Sequence, residues 1–193
     1  MDATELKAAL AEFKAAREAA ENLDMKKEAS EARLADLSVS GNLEDDAVLN
    51  EISRLQIFTQ LFPSRISAYN ARYNDSVDGI RTTINGFIGQ LRRRSAKLAD
   101  GARDKVSESL RGHFQDAKSL SVAVSQSSLV KQAEEFKQTG ILESDHSYAN
   151  RDLDADGLIR KGEALLKSGE QLEAFAKANG LEWPSSRQLI ELP

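Results

Sequence analysis

Cysteine is absent, proline occurs only at positions 63, 184 and 193, and aromatic residues make up 6% of the sequence. Each scarcity excludes something. Without thiols there are no disulfides, no zinc-thiolate centres and no cysteine nucleophile. With no proline before Pro63 and none between it and Pro184, long helices are sterically permitted over most of the chain. Few aromatics beside 40% hydrophobic and 30% charged residues suit helices packed along narrow apolar stripes better than a thick globular core. No apolar run reaches the roughly 18 residues of a membrane span. The start, MDATELKAALAEF, lacks the basic and apolar regions of a signal peptide, so a soluble, preferentially cytoplasmic protein is expected. The net charge of -5 gives the whole molecule no pull toward nucleic acid or anionic lipid. The only histidines, His113 and His146, are far apart, and no nucleotide loop, nucleophile elbow or HExxH is present. No enzyme is expected.

What is present is helical periodicity. Leu6, Ala9, Phe13, Ala16, Ala20 and Leu23 follow steps of three and four, and after Lys27 and Ser30 the stripe resumes at Leu34 and Leu37. Gly41 suits a helix end, and Asn42 an N-cap with Glu44, Asp45 and Asp46 in the first turn. A second helix carries Val48, Ile52, Leu55, Phe58 and Phe62, making a hairpin with the first, and Pro63 is expected to break it. Tyr73, Val77, Ile80, Ile84, Phe87, Leu91 and Leu98 then form a heptad seam over 73–98, with a gap at Arg94. Gly79 and Gly86, one heptad apart, are candidates for close backbone approach. The serine-rich SLSVAVSQSS at 119–128 suits a short strand or linker, and a further helix over about 128–138 ends at Gly140. A boundary is placed there. The expected fold is all-α: an elongated helical hairpin and coiled-coil bundle over 1–140, then a small helical unit over 141–193. In that unit, helices at about 160–167, 170–179 and 185–191 are separated by breaks near Ser168, Gly169 and Gly180.

One short segment specifies a chemistry. DLDADGLIRKGE, Asp152 to Glu163, places Asp152, Asp154 and Asp156 at alternate positions, Gly157 next, and Glu163 six residues after the glycine. A hard cation such as calcium takes six to eight oxygens, and a sharply turning loop with alternating carboxylates supplies them. The pattern resembles an EF-hand loop at its main ligand positions. That resemblance implies Asp152, Asp154, Asp156, the Leu158 carbonyl and Glu163 as ligands of one Ca2+. Arg160 stands at the ninth position and there is no second loop, so the ion is expected to be structural rather than a switch.

The second candidate is basic. Residues 92–111 hold seven Lys or Arg against three Asp or Glu, enough to suggest phosphate contact through the segment 92–105. Three successive arginines on a helix, however, point about 100° apart and make no single stripe. Ion pairing, with the acidic 1–63 region as partner, is the favoured reading and nucleic acid the alternative. The expected function is that of a non-enzymatic structural or interaction protein. Its partner, another protein or a second copy, would be joined through the seam 73–98.

Overall fold

The structure, a computed structural model, describes residues 3–42, 44–139, 153–185 and 189. The protein is all-α, and the described residues contain no strand. Helix α1 (Ala3–Ser40) is followed by α2 (Asp46–Leu110), a 3-10 turn (Arg111–His113), α3 (Ala117–Gln126), α4 (Ser128–Thr139) and α5 (Ala155–Ala178). No helix among the described residues is long and apolar enough to cross a membrane.

The chain forms two compact units, Ala11–Gly79 and a second composed of Met1–Leu10 with Ile80–Pro193. The division differs from the expected boundary near residue 140, because α5 packs on α2 rather than standing alone. A Cβ on Gly169 of α5 would touch Leu91 Cδ2 and Phe87 Cζ, each at 3.4 Å. The α2 residues Ile80, Ile84, Phe87, Leu91 and Leu98 are all buried, so the 80–98 part of the seam is spent inside this unit. A further cluster joins Ala99 and Ala102 of α2, Val130 and Ala133 of α4 and Phe175 of α5, with the Phe136 and Phe175 rings 5.0 Å apart.

Unit Ala11–Gly79 is a helical hairpin. Phe13 stacks on Tyr73 at 5.8 Å, Lys27 lies over the Phe62 ring at 5.3 Å, and Arg33 Nε donates to Glu51 at 2.9 Å. The turn is capped by Asp45, whose Oδ1 accepts from the Ala47 amide at 2.8 Å, and not by Asn42, which accepts from Glu44. Pro63 does not break α2. It forgoes one backbone bond, but buried Phe62 beside it packs on Phe58 and under Lys27, and these contacts hold the helix on both sides.

Three other expectations are corrected. The serine-rich stretch is helix α3, because Asp116 caps it through the Ser119 amide at 2.8 Å, and Ser125 returns its hydroxyl to the Val122 carbonyl. Ser168 and Gly169 leave α5 unbroken; Ser168 donates to the Ala164 carbonyl and Gly169 packs against Leu91 and Phe87. Gly79 faces open space, and the intimate contact is at Gly162, where a Cβ would lie 2.8 Å from Leu10 Cδ2.

Candidate functional site

Asp152 lies outside the described residues, and the rest of the acidic segment is the start of α5. Asp154 is the N-cap: its side chain accepts from the Gly157 amide at 2.7 Å, and its carbonyl accepts from Leu158. Asp156 sits in the first turn, where the helix dipole favours a carboxylate. Gly157 is helical and buried rather than turned into the left-handed region, which among described glycines only Gly180 occupies. Leu153 lies over Gly157, and Leu153 and Leu158 hold the N′ and N4 positions of a hydrophobic staple.

This conformation spreads the expected ligands. Glu163 is nine residues beyond Asp154 on a straight helix, a rise of roughly 13 Å, so the two carboxylates do not meet. The Leu158 carbonyl is inside the helix. One ion held by Asp154, Asp156, Leu158 and Glu163 requires residues 155–163 to leave the helix for a loop. Among the described residues no group of three or more acidic or histidine side chains gathers as metal ligands do. His113 is exposed in the 3-10 turn, and His146 lies outside the described residues.

Of the basic segment 92–105, Arg94 is turned into the fold, while Arg93, Arg103 and Lys105 are exposed. Arg94 is 8% exposed and lies over the Trp183 ring, 5.0 Å from its centroid. Ser95, equally deep, donates its hydroxyl to the Arg92 carbonyl. Together they fill the seam position between Leu91 and Leu98 that looked like a gap. Arg103 meets Glu134 of α4 at 2.7 Å. Lys105 Nζ donates to the Asn179 carbonyl at 2.6 Å, supplying a cation at the negative end of α5. Thus Arg103 and Lys105 find partners in α4 and just beyond α5, where charge balance pointed to 1–63.

The end of α5 explains why Trp183 is delivered there. Gly180 adopts φ +59, its amide bonds the Lys177 carbonyl, and the Leu181 amide bonds the Ala176 carbonyl, which is a complete Schellman motif. Leu181 then joins the Phe175 cluster, and a small cleft of about 170 Å3 remains between Lys97, Leu98 and Gly101 of α2 and Leu181, Glu182 and Pro184. Nothing in the spacing of Arg94 and Trp183 foretells this pairing. The cap at Asp154, by contrast, was readable from Leu-Asp-x-x-x-Leu.

Comparison with family models, curated proteins and solved structures finds no match for this chain.

Proposed function

We propose that this protein is a non-enzymatic helical structural or interaction protein whose contacts are made by the hairpin Ala11–Gly79. The observation that carries the reading is the amount of apolar side chain the hairpin leaves outside. Met25, Val39, Leu49, Ile57 and Leu61 are all at least 43% exposed, while only Phe13, Leu23, Leu37 and Phe62 of its described hydrophobics are buried. Two helices cannot enclose two apolar faces each, and helix-on-helix contact with another polypeptide is the simplest way to cover the second.

Arg94, Arg103 and Lys105 each have a partner within the fold, which favours this reading over the nucleic-acid alternative. The structural calcium loop is not part of this proposal, since its oxygens are distributed along α5 and Asp154 caps a helix. Amine-reactive cross-linking of the full chain in extract from its own cells tests the proposal. Cross-links from Lys14, Lys26 and Lys27 to another polypeptide are expected. A chain that stays uncross-linked, and that binds nucleic acid at low salt, overturns it.

A further inference from the structure

The hairpin carries two long stripes of opposite charge, one on each helix. Along α2, Arg54, Ile57, Leu61, Arg65, Ala68 and Arg72 fall within an arc of about 80° at 100° per residue. All six are exposed, and between residues 52 and 74 there is no acidic side chain. Along α1, Glu18, Glu21, Met25, Glu28, Asp36 and Val39 fall within another arc of about 80° and are likewise exposed. The lengths correspond: about 27 Å from Arg54 to Arg72 and about 31 Å from Glu18 to Val39. Each stripe mixes charge with large apolar groups, Ile57 at 57% and Leu61 at 48% exposure on one, Met25 at 59% and Val39 at 90% on the other.

These stripes cannot satisfy each other within one molecule. The two helices face each other through Phe13 with Tyr73, Lys27 with Phe62, and Arg33 with Glu51. The acidic stripe of α1 lies on the opposite side of the helix from Leu23 and Leu37, with Phe13 about 100° from its centre. The basic stripe of α2 lies on the flank of that helix, about 100° round from Phe62 and Tyr73, with its Arg72 end bordering a cleft against Glu12, Ala15, Ala16 and Ala19 of α1, none of them in the acidic stripe. Glu21 and Asp36 also pair locally with Arg17 and Arg33, but such exposed pairs are weak and easily exchanged.

We propose that a second copy of this chain docks its acidic α1 stripe on the basic α2 stripe. The inference rests on the interaction reading above and names the partner. The two surfaces differ, so the contact is heterologous and continues from copy to copy, either closing into a ring or extending. Ile57 and Leu61 meet Met25 within it, while the arginines and carboxylates set direction and register.

The test uses the full chain in sedimentation and light scattering at rising concentration. Wild type is expected to form species above monomer that dissolve in high salt, where the Debye length falls to about 3 Å. Two charge-reversed variants, Arg54→Glu with Arg65→Glu and Arg72→Glu, and Glu18→Arg with Glu21→Arg and Glu28→Arg, are each expected to stay monomeric with unchanged helical circular dichroism. Mixed in equal amounts they are expected to associate again, because each then offers the charge the other lacks. A wild type that is monomeric throughout overturns the inference, as does association that neither reversal affects. Should the monomeric wild type cross-link to a different polypeptide, the second copy is wrong while the broader interaction reading stands. Should it instead bind phosphatidylserine vesicles through the three arginines, a lipid surface is the occupant and the inference falls.

Discussion

Helix α2 contributes to both units, and its two parts bury their apolar residues to very different depths. From Ile80 to Ala102 it provides Ile80, Ile84, Phe87, Leu91, Leu98 and Ala102, all at most 2% exposed. From Asp46 to Gly79 only Phe62 is buried, and Leu49, Ile57 and Leu61 are largely outside. The difference is one of company. The later part is packed by α5 and α4, whereas the earlier part belongs to a two-helix hairpin. The same periodicity therefore gives a core in one place and a half-covered surface in the other. A seam in sequence states which face is apolar, not how many neighbours cover it.

The sharpest way to break this comparison is a matched pair of truncations. Leu91→Ala is expected to destabilise the protein by about 3 kcal/mol through lost burial and a residual cavity. Ile57→Ala is expected to change stability by no more than about 0.5 kcal/mol. Chemical denaturation of both variants measures the contrast, and similar losses would mean the hairpin is covered. Next comes the polar member of the seam. Arg94→Ala is expected to cost about 1 to 2 kcal/mol and to shift Trp183 emission, with Arg94→Lys intermediate because an ammonium lacks the planar stacking face.

The end of α5 offers a smaller effect. Asp154→Ala removes the cap and is expected to cost about 1 kcal/mol. Calcium added in excess is expected to leave the melting temperature of both wild type and this variant where it was, whereas a calcium-dependent rise in wild type alone would restore the loop reading.

The smallest effects are at two exposed carboxylates. Glu51 is held below the ordinary glutamate range, chiefly by its hydrogen bond from Arg33, and Asp116 below the aspartate range by hydrogen bonds from Ser119. Each is depressed on folding, so its contribution is complete above the unfolded pKa and is lost as pH falls through the folded one. An NMR titration is expected to find both shifts, with high salt shrinking that of Glu51 more than that of Asp116. An ion pair is screened, but a helix cap is a short hydrogen bond.

The all-α class, the hairpin, the end of α4 and the buried part of the seam were legible, because each rests on spacing that a helix turns into a face. The breaks were less so. Pro63, Ser168 and Gly169 carry real local costs, but Phe62 packs beside the first and Leu91 and Phe87 pack against the last. Tertiary contact outweighs propensity at such points. The acidic segment admits two readings for a more specific reason. Oxygen atoms at short spacing before an apolar residue serve a cation and the free amides of a helix start equally well, and Asp154 chose the amide of Gly157.

Leu10 and Gly162 meet although 152 positions separate them in the chain. Synthesis runs from the first to the last, so the hairpin is complete long before α5 exists. Until then Phe87 and Leu91 have no α5 to lie against, which leaves this stretch bare on the ribosome. A chain cut before Gly162 is expected to keep its hairpin and to aggregate through that bared segment.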